Sequence, residues 1–225
     1  MKHIFIFGIA LVLFTACNSG NEQRTLPILG NRVVVGDTLG LSGLAATYDT
    51  GAAIGDTLYP IIPDFAFVDQ DSQVVTNATF KGKIYVADFF FIHCPTICPK
   101  VKANGLRIYK KYENDDRIVL LSHSIDVKND TVAALKRHAE KLGIQTNRWH
   151  LVTGDHDAIY GIADDYFSVA TENPDAPGGF DHSGRLILVD KNKHVRSFCN
   201  GTDAEDVDRF MKDIDVLLAE QFGSK

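Results

Sequence analysis

One apolar segment followed by two cysteines constrains this chain of 225 residues more than any other feature. Residues 84–92 are β-branched or aromatic except for Ala87 and Asp88. This composition predicts a strand that is covered on both faces in the middle of a sheet. The next residues, 94–99, read Cys-Pro-Thr-Ile-Cys-Pro. Proline is tolerated in a first helical turn and Thr96 can serve as an N-cap, so we expect a loop that turns into a helix.

Cys94 and Cys98 are four residues apart, which is about one turn of a helix. At that separation two sulfur atoms can form a disulfide or hold one soft metal ion. The positive end of the helix dipole stabilises a thiolate and lowers a thiol pKa from its free value of about 8.5. A purely structural disulfide is the alternative, and we favour it less because the pair follows directly on the central strand.

The first 16 residues have the pattern of a lipoprotein signal peptide. Lys2 and His3 precede an apolar run at 4–14, and Leu-Phe-Thr-Ala-Cys ends at Cys17. The run is too short to span a bilayer but has the length of a signal-peptide core. We therefore predict an exported bacterial lipoprotein that faces the periplasm and is anchored to the membrane by a lipid on Cys17. The alternative is an ordinary signal peptide with an incidental cysteine.

The rest of the chain divides into a tether and one domain. Residues 17–58 are rich in glycine, threonine and serine, and predict a flexible tether. Within it, Val-Gly-Asp-Thr-Leu at 35–39 returns as Ile-Gly-Asp-Thr-Leu at 54–58, which indicates a local duplication. Residues 59–225 have the length of one domain with a full core. The net charge of −6 argues against a nucleic-acid partner.

The domain predicts an α/β fold with an N-terminal β-hairpin. The hairpin strands are predicted at 64–68 and 73–76, further strands at 84–92, 117–123, 149–152, 167–170, 182–190 and 194–199, and helices ending near 112 and spanning 130–142, 155–166 and 203–221. This order implies a mixed central sheet flanked by helices on both faces.

Several separate motifs accompany the cysteines. They are Asp-Phe at 64–65, Val-Asp-Gln at 68–70, Phe-Lys-Gly-Lys at 80–83, the segment 89–99, Ser-Ile-Asp at 124–126, Leu-Val-Thr-Gly at 151–154 and Asp-His-Ser at 181–183. With these motifs, about residues 63–218 resemble the Sco/SenC family. Its members are copper-handling proteins of thioredoxin-like fold that serve cytochrome c oxidase assembly. The pair Cys-Pro-x-x-Cys-Pro with a distant Asp-His-Ser is far more specific than a cysteine pair alone.

The resemblance implies that Cys94, Cys98 and His182 bind one copper ion. Two thiolates and an imidazole form a soft site suited to Cu(I), and the same reduced ligands can accept Cu(II). The resemblance also implies that His182 begins a strand beside the helix N-terminus and that Asp126 lies near the metal. Many relatives carry Asp where this chain has Thr96, a departure that removes a negative charge beside the site but no ligand.

Two classes of function follow. The first is a metallochaperone that delivers copper to the dinuclear copper site of a cytochrome c oxidase subunit. The second is a thiol-disulfide oxidoreductase, in which Cys94 attacks a target disulfide and Cys98 resolves the mixed disulfide. Such an enzyme would reduce the cysteines of the oxidase copper site, or of another exported protein, and would itself need a thioredoxin-like reductant. His182 discriminates between the two classes, because a dithiol reductase does not need an imidazole there.

Other interpretations are weaker. A thiol peroxidase is disfavoured because Phe91 stands three residues before Cys94, where a peroxidatic motif carries Thr or Ser. A sensor that binds copper and reports redox state remains an open alternative. His93 is expected to be partly exposed and not a ligand, and Cys199 to be a small buried hydrophobe. The remaining histidines are predicted to be surface or hydrogen-bonded core groups: His123, His138, His150, His156 and His194.

Overall fold

The computed structural model describes residues 24–35, 48, 53 and 55–223. Its strands are β1 (Val33–Val34), β2 (Thr57–Leu58), β3 (Ala66–Asp69), β4 (Val74–Thr76), β5 (Ile84–Phe90), β6 (Ile118–Ser124), β7 (Trp149–Thr153), β8 (Ala170–Glu172), β9 (Phe180–His182), β10 (Arg185–Val189) and β11 (Val195–Asn200). Its α-helices are α1 (Cys98–Lys111), α2 (Val132–Leu142), α3 (His156–Ala163) and α4 (Ala204–Phe222). Short 3-10 helices occupy Asn77–Phe80 and Asp164–Tyr166.

Seven strands form one mixed sheet in the order β11-β10-β5-β6-β7-β3-β4. β5, β6 and β7 run parallel, whereas β10, β11, β3 and β4 each pair antiparallel with their neighbours. All seven residues of β5 are buried, as a strand between two neighbours and two helix layers requires. The predicted mixed sheet with an N-terminal hairpin is confirmed, and β5 is an interior strand, the third of the seven.

Helices cover both faces of the sheet, as neighbouring residues of β5 demonstrate. Phe90 lies 3.8 Å from the ammonium of Lys102 on α1, measured to the ring centroid. Phe89, one residue earlier, contacts Tyr166 at the end of the α3 segment with a centroid distance of 5.8 Å. Because successive side chains on a strand point to opposite faces, α1 and α3 lie on opposite sides of the sheet.

Two predicted strands have different boundaries. The segment predicted as one strand over 182–190 is two strands, β9 and β10, separated at Gly184, whose φ of +61° is a left-handed conformation. His182 therefore ends a strand and does not begin one. The strand predicted at 167–170 begins only at Ala170, because Phe167 also has a positive φ of 53°. Both corrections have one cause, since a left-handed residue breaks the extended backbone.

Residues 24–29 pack against the domain. Leu26 is 7% exposed, and its backbone N–H donates to Glu220 of α4 (3.1 Å). Leu29 donates its N–H to Val195 (2.9 Å). Further along, β1 pairs antiparallel with β2. Val35, the one described residue of the first duplicated segment, donates its N–H to the Asp56 carbonyl (2.9 Å) and accepts from the Gly55 N–H (2.8 Å) of the second. The predicted signal peptide, Cys17 and residues 36–39 of the duplication lie outside the described residues.

In the described part of the chain, no helix is both long enough and apolar enough to cross a membrane.

Candidate metal and redox centre

The cysteine loop leaves the carboxyl end of β5 and enters α1. Cys98 is the first residue of α1, and Ile97 stands at the N-cap without a side-chain cap hydrogen bond. The expectation that Thr96 is the N-cap is therefore wrong. A buried carboxylate fixes the segment that follows β5. Asp130 accepts hydrogen bonds from the Ile92 N–H (3.0 Å) and from the Ser124 hydroxyl (2.6 Å).

His182 reaches the same place from a separate element, the two-stranded hairpin β8–β9. Phe91, the residue after β5, forms the contact between them. Its ring centroid lies 5.0 Å from that of Phe180 and 5.6 Å from that of His182, the latter in an edge-to-face arrangement. Ser183 also donates its N–H to the Val169 carbonyl (3.3 Å), which ties the hairpin to the segment before it.

The structure brings Cys94, Cys98 and His182 together. His182 Nε2 lies 3.6 Å from Cys94 Sγ and 3.2 Å from Cys98 Sγ. All three ligand atoms lie within 4.8 Å of one another. Both cysteines are free thiols and buried, and His182 is half-buried. Within the described residues, no other three His, Cys, Asp or Glu side chains converge in this way.

The two thiols have opposite electrostatic environments. Burial acts to raise the pKa of Cys94, but hydrogen bonds from His182, the Thr96 backbone and Cys98 outweigh it and lower the pKa to about 6. The Cys98 N–H, at the start of α1, points to Cys94 Sγ at 3.5 Å. Burial raises the pKa of Cys98 above its ordinary value, and the neighbouring Cys94 acts in the same direction. Cys94 is thus the thiolate at neutral pH and Cys98 the thiol.

The other nitrogen of His182 is not held by a carboxylate. Nδ1 is buried and has no hydrogen-bond partner among the described residues. Asp126, expected near the metal, accepts instead two hydrogen bonds from the Asn129 amide (3.0 and 2.9 Å). No hydrogen bond of the described residues joins Asp126 to the three converging side chains. Among the described residues, the edge-to-face contact with the Phe91 ring helps to orient the imidazole where a polar group would otherwise do so.

The remaining sequence predictions have mixed outcomes. His93 is exposed and lies outside the converging group, and Cys199 is 1% exposed, where burial raises its pKa to about 12. The predicted exposure of His93 and the predicted burial of Cys199 are confirmed. His150 and His194 are hydrogen-bonded, to Asp69 (3.0 Å) and to the Pro60 carbonyl (2.9 Å).

Two buried histidines have fewer hydrogen bonds than predicted. His123 is fully buried, and although its Nδ1 lies 3.3 Å from the Asp88 carbonyl, its Nε2 has no partner in the described structure. The Nε2 of His138 is likewise buried and unpartnered. Burial lowers the pKa of both imidazoles to about 4, so both are neutral at pH 7.

Sequence reasoning missed an ion pair beneath the cysteines. Asp88 of β5 and Lys102 of α1 are 4% and 7% exposed, and their charged atoms lie 3.7 Å apart. Asp88 also accepts a hydrogen bond from Ser122. The available signals were an acidic residue that interrupts an apolar strand and a lysine one helical turn after Cys98.

Comparison with known proteins gives one consistent result. The SCO1/SenC family model matches residues 56–219. A SCO1 protein homolog of Bacillus subtilis (strain 168) is 30% identical over 186 residues, which cover 81% of this chain and 96% of that protein.

Solved structures agree. A SCO1/SenC family lipoprotein from Bacillus anthracis str. Ames has a TM-score of 0.63 and 27% identity, covering 70% of this chain and 94% of that one. BsSco, described as having a disulfide switch and belonging to the Sco family of cytochrome c oxidase assembly proteins, has a TM-score of 0.61 and 26% identity, covering 70% and 92%. ScoI of Bradyrhizobium japonicum with copper bound has a TM-score of 0.52 and 25% identity, covering 67% and 99%. These likenesses confirm the predicted thioredoxin-like fold.

Proposed function

The chain belongs to the SCO1/SenC family, and on that premise we propose that it is a copper metallochaperone for a cytochrome c oxidase. Cys94, Cys98 and His182 bind one copper ion and deliver it to the dinuclear copper site of an oxidase subunit. Support comes from the copper-bound ScoI and from the oxidase assembly role stated for the family of BsSco.

The observation that carries the proposal is the convergence of Sγ, Sγ and Nε2 within 4.8 Å. Thiolate and imidazole donors favour copper over the hard cations, which prefer oxygen. Cys94, with its lowered pKa, offers a thiolate before metal arrives. Cys98 must lose its proton to bind, so copper uptake releases a proton there.

The arrangement also suits the release of the ion. One sulfur belongs to the first residue of α1 and the other to the loop before it, whereas the imidazole belongs to the β8–β9 hairpin. His182 can therefore leave the ion by a shift of the hairpin while both sulfur atoms stay in place. A cysteine or histidine of the acceptor then takes the vacated position, which is the ligand exchange that delivery requires.

A copper-transfer experiment tests the proposed delivery. The reduced chain, loaded with one copper ion, is mixed with the reduced, metal-free copper-accepting domain of an oxidase subunit. We expect copper to leave the chain and to be recovered on the acceptor domain, at up to two ions per domain, by metal analysis after the two proteins are separated. His182→Ala should abolish the transfer, whereas His156→Ala, which changes an exposed histidine outside the site, should leave it intact. Copper that stays on the wild-type chain would contradict delivery.

The asymmetry of the two thiols favours a second role, thiol-disulfide exchange. The Cys94 thiolate attacks a disulfide of the target, and one target sulfur leaves as a thiolate. Cys98 then loses its proton and attacks Cys94 Sγ. This step forms the Cys94–Cys98 disulfide and releases the target as a dithiol, two electrons richer. A thioredoxin-like partner restores the reduced pair.

Trapping tests this exchange. Cys98→Ser lacks the resolving thiol, so a mixed disulfide between Cys94 and the target should accumulate and be visible on a non-reducing gel. The matched variant Cys94→Ser should give none. Equal trapping by the two variants would contradict the assignment of Cys94 as the attacking residue.

Location follows from the sequence pattern before Cys17. We propose that the chain is exported and held at the membrane by lipid on this cysteine, as the name of the Bacillus anthracis lipoprotein supports. Mass spectrometry of the N-terminal peptide tests the modification, and Cys17→Ser should release the protein from the membrane fraction.

A further inference from the structure

A cavity of about 310 Å³ lies beside the two cysteines, between α1 and α2. Its walls are mainly apolar and include Phe90, Leu106 and Leu142. The side chains of Cys94 and Cys98 also line it, whereas His182 does not. Its volume is at the lower end of the range of small-molecule sites, about 300 to 1,000 Å³.

The cavity contains a buried cation with unused hydrogen-bond donors. Lys102 lines it and is 7% exposed, and its ammonium has no hydrogen-bond partner in the described structure. Asp88 Oδ2 lies 3.7 Å away, beyond hydrogen-bond length, and the Phe90 ring lies 3.8 Å away. Buried polar groups are ordinarily hydrogen-bonded, and an ammonium carries three donors. These donors therefore mark a position for an acceptor.

The charges decide which acceptor fits. Lys102 and Asp88 already form a neutral pair, so a carboxylate would add a net negative charge to a buried, mainly apolar space. A neutral carbonyl oxygen accepts the hydrogen bond without that cost. His138 also lines the cavity, and its buried Nε2 has no partner among the described residues. It offers a second, uncharged polar contact.

We infer that this cavity binds a small, mainly apolar molecule that carries a carbonyl group. The carbonyl accepts a hydrogen bond from Lys102, and the apolar part packs against Phe90, Leu106 and Leu142. Because the cavity is also lined by Cys94 and Cys98, the bound molecule lies against their sulfur atoms. The inference does not depend on copper, so it stands or falls separately from the proposed function.

The test uses the full chain, reduced and metal-free, with cyclohexyl methyl ketone as the probe. Methyl and amide NMR shifts are followed during the titration. We expect saturable shifts confined to the residues around the cavity, with Leu106 and Leu142 among those that change most. Shifts that do not saturate, or that are spread over the surface, would overturn the inference.

Two lysine variants test whether the carbonyl group of the probe binds at Lys102. Lys102→Met keeps an unbranched side chain one atom shorter and removes the donor, so affinity should fall about ten- to hundred-fold, the value of a hydrogen bond to a charged group. Lys100→Met, an exposed position on the same helix, should bind the probe as the wild type does.

A second variant keeps the inference testable if Lys102→Met does not fold with Asp88 left unpaired. Ala103→Phe narrows the cavity from an exposed position and leaves the ion pair in place, so it should also weaken binding of the probe. Wild-type affinity in a folded Lys102→Met or Ala103→Phe chain would contradict the site.

Discussion

The two elements that form the site are attached to the domain very differently. The cysteine loop continues the interior strand β5, whose seven residues are all buried, and Asp130 holds the start of this loop by accepting a hydrogen bond from the Ile92 N–H. The hairpin β8–β9 that carries His182 pairs only with itself, outside the seven-stranded sheet. Among the described residues its links to the rest include the Phe91 contacts and a hydrogen bond of Ser183.

This difference separates two chemistries. The thiol pair is built by the core and the start of a helix, so disulfide formation does not need the hairpin. The proposed copper site needs both elements, because the imidazole belongs to the hairpin. Changes in the hairpin should therefore affect copper and spare the disulfide, and changes in the cysteine loop should affect both.

Removal of a cysteine should have the largest effect. Cys94→Ser or Cys98→Ser loses a thiolate ligand and prevents the disulfide. We expect copper affinity to fall by more than the roughly 10–100-fold typical of losing a group that only orients a ligand. Competition against a copper chelator measures the affinity, and thiol counting after oxidation measures the disulfide. Cys199→Ser, at a buried thiol outside the site, serves as the control. An intact copper affinity in either site variant would contradict the ligand set.

A glycine pair in the hairpin loop offers a sharper test. Gly178 and Gly179 both have positive φ, +84° and +88°. A Cβ on Gly178 would lie 2.7 Å from the Phe91 ring, whereas a Cβ on Gly179 meets nothing within 4 Å. Both alanine variants bear a backbone cost of about 1–2 kcal/mol, but only Gly178→Ala pushes the hairpin away from the cysteine loop.

We therefore expect Gly178→Ala to weaken copper binding about ten-fold relative to Gly179→Ala, with the Cys94–Cys98 disulfide forming normally in both. The same chelator competition and thiol counting measure this. Equal copper affinities of the two variants would show that the Phe91 contact does not position His182.

The smallest expected effect is a shift in pH dependence. Because the pKa of Cys94 is lowered to about 6, its alkylation by iodoacetamide in the metal-free chain should be fast at pH 7 and slow below pH 6, where the thiol is protonated. His182→Ala removes the strongest contact that lowers this pKa, so the midpoint should move upward, towards that of an ordinary thiol. Peptide mass spectrometry follows the rate at Cys94. A midpoint that stays near 6 in the variant would assign the shift to the hydrogen bonds from the Thr96 backbone and from Cys98.

Local sequence patterns predicted those elements whose formation depends on neighbouring residues. The buried strand, the cysteine pair at the start of a helix and the end of α2 at Gly143 follow from composition, spacing and a C-cap glycine. The strand boundary after His182 was wrong because Gly184 takes a left-handed conformation, which sequence alone does not reveal.

Contacts between residues that are distant in the chain could not be predicted from local sequence patterns. Asp130 was predicted to open α2, but Thr131 is the N-cap and Asp130 turns inward to Ile92. The pair of Asp88 and Lys102 depends on how α1 is rotated against β5, which no short pattern specifies. The meeting of His182 with the cysteines could be predicted only through a family resemblance, because 84 residues separate it from Cys98.

The most direct test of the copper site is a titration of the reduced chain with Cu(I) and Cu(II), alongside His182→Ala. We expect one ion per chain, a thiolate-to-Cu(II) absorption band in the wild type, and loss of both the band and tight binding in His182→Ala, whose Cys94–Cys98 disulfide still forms. Full copper affinity in His182→Ala would contradict the three-ligand site. A wild-type chain that binds no copper yet exchanges disulfides would instead identify a thiol-disulfide reductase.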